Sequence, residues 1–195
     1  MNKREFLAKI KKAGLVGRGG ASFPTHLKWQ RMLETPAEQK LVVCNVSEGE
    51  PGVKKDFYIL ENEPEEVFNG MKLALDFLDS KKGYFNFNAD YWQRLQAQLK
   101  PIIADYKKQG YELIVFEEEP SYIGGETGSL LNAIEGKRVE PRLKPPSPSL
   151  TGIDGYPVLL HNVETLYDVS LIAKDEYENK RFYTIGGQAK NPGVY

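Results

Sequence analysis

The chain has 195 residues, 41% of them hydrophobic and 27% charged, with a formal net charge of −1. That is enough apolar side chain to bury a core, so one main domain with at most a small appendage is expected, and the balanced charge gives no field favouring nucleic acid or an anionic membrane. One cysteine, Cys44, and two histidines, His26 and His161, exclude an internal disulfide framework, a conventional four-cysteine iron–sulfur cluster and a ligand-spaced zinc site.

The first residues, MNKREFLAKIKK, carry Phe6, Leu7, Ile10 and Ala13 at helical spacing up to a stop at Gly14. They lack an apolar signal core, and no segment reaches the length of a membrane span, so a cytoplasmic chain without direct membrane insertion is expected. GLVGRGGASFPT follows, with four glycines before Pro24, and must be a loop. Leu41 to Val46 reads as a buried strand, and EGEPG after it as a turn. From Pro64, the residues Val67, Phe68, Met71, Ala74, Leu75 and Leu78 form one helical face. Tyr84 to Phe87 reads as a second strand. A helix from about Asp90 to Lys108 is expected to bend or break at Pro101. Glu112 to Phe116 reads as a third strand, and SYIGGETGSLLNAIEG as a glycine turn leading into a short helix. PRLKPPSPSL, with four prolines, reads as an extended surface or site-lining loop, and HNVETLYDVSLIAKD as a helix. The last segment, KRFYTIGGQAKNPGVY, begins as a strand and turns at Gly186-Gly187.

Alternating strands and helices imply a Rossmann-like layered α/β domain with a mainly parallel sheet, because parallel neighbours need crossover connections. In such folds ligands gather at the carboxyl ends of strands. The glycines of GRGG can bring backbone amides close to a phosphate, yet glycine loops also serve simply as tight turns. A Walker pattern is absent, and the loop follows a helix where a dinucleotide fingerprint would follow a strand. Arg18 can pair with phosphate and Lys28 can set a positive charge near an electron-rich ring, or both are solvated. Phe23 and Trp29 can stack on a planar ligand or pack in the core. Asn45 offers both a donor and an acceptor to a ring edge. Glu48 and Glu50 can accept from ring or ribose groups, though all three are also ordinary turn residues. Tyr122 precedes Gly124-Gly125, and Glu126 opens a helix, where a carboxylate also complements the dipole.

Four of these segments together resemble one family, the NADH-binding flavoprotein subunit of respiratory complex I, shared with NAD-linked hydrogenases and formate dehydrogenases. GLVGRGGASFPTHLKW resembles GLRGRGGAGFPTGLKW, and VCNVSEGEPGVKKD resembles VCNADESEPGTFKDR. YIGGETGSLLNAIEG is similar to YICGEETALLNSLEG, and PRLKPPSPSLTGIDGYPVLLHNVET to PRLKPPFPA followed by a glycine-rich stretch and NNVET. The resemblance implies an α/β domain over residues 1–180 that binds FMN, with NADH above it as substrate, and an incomplete start of a β-grasp domain over 181–195 that has no sheet to join. It implies hydride transfer to the flavin and electrons leaving through iron–sulfur partner subunits, with the chain peripheral to a membrane only through them. By motif position it implies FMN contacts at Gly17, Arg18, Gly19, Gly20, Lys28, Asn45, Glu48, Tyr122, Gly125, Glu126, His161, Asn162 and Thr165. Phe23 and Glu50 fall where the family meets NADH. The chemistry belongs to the cofactor, so no catalytic side chain is implied.

The departures are specific. Ser47 stands for an aspartate and His161 for an asparagine, which removes two expected polar partners of the flavin. Arg31 and Ser147 replace aromatics, and Thr127 replaces a glutamate. At about 1 kcal/mol per aromatic stack, two losses weaken NADH roughly tenfold or more. A module that keeps the fold but no longer transfers hydride is therefore the competing reading. A phosphate-binding hydrolase is disfavoured because no nucleophile–base or metal–carboxylate set accompanies the loop.

Overall fold

The structure, a computed structural model, describes residues 2–118 and 122–195; Ser121 of the SYIGGETG motif lies outside the described residues. Asn2 accepts from the amides of Arg4 and Glu5 and so caps helix α1 (Lys3–Lys12), which buries Phe6 and Ile10. A loop leads to α2 (Thr25–Glu34) and then to β1 (Leu41–Val46). Two helices, α3 (Lys55–Asn62) and α4 (Pro64–Phe77), precede β2 (Lys82–Asn88), and α5 (Ala89–Lys108) precedes β3 (Glu112–Glu118). A 3-10 turn at Ile123–Gly125 opens α6 (Thr127–Ile134). Strand β4 (Val158–Asn162) runs directly into α7 (Val163–Ala173), whose amino end Asn162 caps by accepting from the Glu164 amide.

The strands lie in the order β3-β2-β1-β4, and all pairings are parallel. From β1 the chain steps outward to β2 and β3, then returns across the sheet to set β4 on the other side of β1. Parallel neighbours bury both faces, which explains the unbroken apolar run of β1. Val42, Cys44, Val46, Phe85, Phe87 and Leu159 face the main core under the helices. Leu41, Val43 and Val158 face a smaller core closed by Leu130 and Leu131 of α6 and by Ile153.

Three expectations from sequence differ from the structure. Helix α5 runs through Pro101 without interruption. A proline forfeits one intrahelical bond, and here Trp92, Leu95, Leu99 and Tyr106 bury the same helix on both sides of it. HNVET does not lie wholly in a helix, since His161 and Asn162 end β4. The last segment does find a partner, because β5 (Thr184–Ile185) pairs antiparallel with β6 (Gly193–Val194).

The glycine loop is held at its neck and pinned to α7. Gly17 N–H donates to Phe23 O at 2.9 Å and Thr25 N–H to Leu15 O at 3.0 Å. Arg18 N–H donates to Thr165 Oγ1 at 2.9 Å. The Arg18 side chain is buried, with Nε 2.8 Å from Asp168 Oδ2 and Nη2 donating to the Tyr177 hydroxyl and to Lys180 O. The guanidinium thus faces inward and ties the loop to α7 and to the segment that follows it. Burial pushes the Asp168 carboxyl up to about 7, and the Arg18 charge opposes that rise.

Two outcomes follow for stability. A Cβ at Gly70 of α4 would lie 2.0 Å from Leu166 O of α7, so Gly70→Ala forces the two helices apart. A loss on the order of 3 kcal/mol is expected in urea unfolding, and an unchanged midpoint would contradict this packing. Arg18→Met leaves Asp168 buried without its cation, at a cost of about 3 kcal/mol. Because a buried carboxyl without that partner takes up a proton, the loss should be smaller at pH 5 than at pH 8, which thermal unfolding at both pH values measures.

Candidate functional site

The sheet's change of direction opens a crevice at the carboxyl ends of β1 and β4. Their registered partners Asn45 and Asn162 stand side by side there. A cavity of about 120 Å³ occupies it, lined by Gly17 and Gly19 of the loop, Lys28, Asn45, Gly125, His161, Asn162 and Thr165. Three distant stretches therefore converge: the glycine loop before α2, the strand ends, and the turn before α6.

Each wall has its own reason to be rigid. Asn45 is oriented at both ends, donating from Nδ2 to Gly125 O at 3.1 Å and accepting at Oδ1 from Ser47 N–H at 3.0 Å. The Asn162 side chain is set in a charged network: it donates to Asp56 Oδ2, and its Oδ1 accepts from Lys55 Nζ at 3.1 Å. Lys55 in turn lies 2.6 Å from Asp56 and 3.1 Å from Glu164, so the two buried carboxylates share one ammonium. At Gly19 a Cβ would sit 3.3 Å from the Asn162 Cβ, so a side chain there would press on the cleft wall.

Lys28 projects from α2 and donates to Leu160 O at 2.8 Å. Burial pulls its ammonium down to about 8, because a desolvated cation without a carboxylate partner gives up its proton more readily. His161 contributes to the lining, but its Nε2 accepts from Trp29 Nε1 at 2.7 Å, and burial holds the ring neutral, well below its ordinary range. The ring thus spends its acceptor on α2 while the residue lines the cleft. The same bond resolves Trp29, which is fully buried against Phe6 and Phe77.

Other expected residues point elsewhere. Glu48 Oε2 accepts from the amides of Asp56 and Phe57 at the start of α3 and from the Tyr91 hydroxyl. Burial, and the nearby Asp56 charge, push the Glu48 carboxyl up to about 7. Glu50 accepts from the exposed Tyr122 hydroxyl at 3.1 Å, and neither residue lines the cavity. Gly20 supplies a positive φ of 105°, a turn requirement, rather than a wall. The Glu126 carboxylate caps α6 by accepting from Ser129 N–H. Ser47, where an aspartate was expected, donates its hydroxyl to Glu118 of β3; the other Glu118 oxygen accepts from Asn86 at 2.8 Å.

A second cavity of about 230 Å³ opens beside the first and shares Phe23, Lys28, Thr127 and Leu160 with it. Its outer wall is the proline-rich segment, through Lys144, Ser147, Pro148 and Ser149. That segment, expected as an extended surface or site-lining loop, lines this cavity. Lys144, Ser149 and Leu160 were not singled out by sequence. Leu160 belongs to the unrecognised strand, and the other two carry no signal apart from their neighbours.

The comparisons with known proteins agree with this geometry. The family model described as the Nuo51 FMN-binding domain matches residues 10–171. The F subunit of the NADH-quinone oxidoreductase of Salmonella typhimurium is 33% identical over 215 residues, covering 98% of this chain and 48% of that protein. The alpha subunit of the NAD-reducing hydrogenase HoxS of Cupriavidus necator is 31% identical, covering all of this chain and 36% of that protein. The crystal structure of an NAD+-reducing NiFe hydrogenase in its air-oxidized state superposes with a TM-score of 0.91 at 30% identity, over 100% of this chain and 36% of that one. The chain spans about half the length of the NADH-quinone oxidoreductase relatives it matches. With a model match over most of its length and a shared fold, the chain belongs to the Nuo51 FMN-binding domain family.

Proposed function

We propose that this chain holds FMN in the cleft between β1 and β4 as part of an oxidoreductase that takes hydride from a nicotinamide dinucleotide. The observation that carries the reading is the convergence of Gly17 and Gly19, Asn45 and Asn162, and Gly125 on one crevice at the switch point of a parallel sheet. The residues present suit that cofactor. Backbone at Gly17, Gly19 and Gly125 is unobstructed by side chains, the carboxamides are pre-oriented, and one buried ammonium stands within the lining.

In this reading the loop backbone and Thr165 bind the phosphorylated chain, while Asn45 and the Gly125 backbone orient the ring edge. Lys28 places a fixed positive charge where electron density accumulates, and the low-dielectric wall strengthens its effect. Phe23, at the mouth, covers the adjoining cavity where a donor ring can lie. Bound there, FMN supplies a two-electron acceptor that can release electrons singly. The residues' task is alignment and exclusion of water, not proton abstraction. Arg18, Glu48 and His161 act at one remove, by fixing the loop, the start of α3, and α2. The relatives are subunits of larger enzymes, so we assign the onward electron path to iron–sulfur partner subunits, through which the chain would also approach a membrane. Among the described residues no helix is long and apolar enough to cross one.

The purified chain should take up FMN with a Kd of roughly 1 µM or tighter, seen as a shifted visible spectrum and quenched flavin fluorescence. Absence of binding at saturating flavin would remove the reading. Gly19→Val should weaken FMN at least about tenfold while leaving the unfolding midpoint nearly unchanged. Equal loss of stability would instead make Gly19 a packing residue. Affinity should fall as pH rises through about 8, where Lys28 in the free protein loses its proton, and Lys28→Met should flatten that profile. A profile unaltered by Lys28→Met would remove the ammonium from the binding site.

A further inference from the structure

The cavity beside the flavin cleft has a wall chemistry of its own. Three cationic side chains, Lys28, Arg31 and Lys144, and three hydroxyl side chains, Thr127, Ser147 and Ser149, line it. Among the described residues Phe23 is the one aromatic in the lining, so they offer no second aromatic face to sandwich a planar ring. Arg31 lies over the Phe23 ring, 5.3 Å from its centroid, and its guanidinium makes no ion pair among the described residues. Among the described residues, Lys144 alone of the three cations has a carboxylate near it, Glu126 Oε1 at 3.4 Å, while the other oxygen of that carboxylate caps α6; Lys28 and Arg31 have no such partner. Ser147 and Ser149, on the same segment as Lys144, hydrogen-bond to each other with their hydroxyl oxygens 2.8 Å apart.

A concave surface with surplus positive charge and clustered hydroxyl donors is the donor set of a phosphate-ester site. Scattered surface lysines would not converge on one cavity that hydroxyl side chains also line. Because this cavity adjoins the flavin cleft and shares Phe23, Lys28, Thr127 and Leu160 with it, a ligand held there lies beside the flavin. We infer that the donor for this chain is the phosphorylated nicotinamide dinucleotide, NADPH, with its additional phosphate monoester held by Arg31, Lys144 and the Ser147–Ser149 hydroxyls. This rests on the proposed flavin site and adds the identity of the donor. NADH lacks that phosphate, so it forgoes these contacts while gaining no second aromatic wall for its adenine.

Calorimetric titration of the FMN-loaded chain with NADPH and with NADH tests the inference directly. NADPH should bind at least about tenfold more tightly, the equivalent of one charge-assisted hydrogen bond, and the preference should shrink at high salt. An Arg31→Ala, Lys144→Ala double variant should lose the preference by weakening NADPH alone. Equal affinities would overturn the inference, as would equal weakening of both dinucleotides by the double variant, since the cations would then serve the diphosphate common to both. A parallel arm uses the flavin-free chain with adenosine 2′,5′-bisphosphate and 5′-AMP. Tighter binding of the bisphosphate, lost in the double variant, supports the cavity assignment whatever the flavin does; no preference contradicts it. Failure of the chain to take up FMN is read separately from the flavin spectrum and counts against the proposed function.

Discussion

The parallel pairing of β1 with β4 is the constraint on which the rest depends. It reverses the direction in which the sheet grows, which opens a crevice, and sets Asn45 beside Asn162 at its rim. It also delivers the chain straight from β4 into α7, where Asn162 caps the helix and Thr165, one turn on, receives the Arg18 amide. Loop, strand ends and helix are thereby fixed relative to one another before any ligand arrives, which is the preorganisation that a cofactor site needs.

Beneath the crevice lies a layer of buried charge that supports it. Arg18 with Asp168, and Lys55 between Asp56 and Glu164, tie the glycine loop, α3 and α7 together. Such groups are costly to bury, and removing either cation leaves buried carboxylates uncompensated. Their arrangement separates two kinds of residue within the same motifs. Gly17, Gly19, Asn45 and Thr165 line the cleft, whereas Arg18 and Glu48 face away from it and hold the lining in place.

Much of this was legible in the sequence. The apolar run 41–46 and the faces of α4 and α5 fix strand and helix identity, because burial sets their periodicity. Strand β4 was not legible: it has only five residues, and its last two, His161 and Asn162, read as the approach to a helix. Helix α2 lacks a side-chain cap, since Pro24 occupies that position, and so gives no start signal. Pro101 shows the opposite failure, where a strong local rule yields to burial along the rest of the helix. For the site, motif order located the converging segments, but no pattern tells which way a loop side chain turns. Arg18 and His161 point into the protein because buried partners, Asp168 and Trp29, lie there, and those partners are more than a hundred residues away in sequence.

The substitutions at 31, 47, 127 and 147 take on a consistent meaning in the folded chain. Ser47 finds a carboxylate on a strand of the same sheet in Glu118, so the polar floor under Asn45 persists with its charge relocated. Arg31, Thr127 and Ser147 converge on one cavity and change its character from aromatic to cationic and hydroxylic. The inner cleft thus keeps the polar groups of the motifs while the outer one departs from them, which is what the proposed flavin site with an altered donor site requires.

The central claim, that three distant segments form one flavin cleft, is tested most directly by following backbone amides during an FMN titration by 15N NMR. The account predicts that the resonances of Gly17, Gly19, Asn45, Gly125 and Asn162 shift together with one saturation curve. Shifts confined to one segment, or to residues away from the carboxyl ends of β1 and β4, would contradict it.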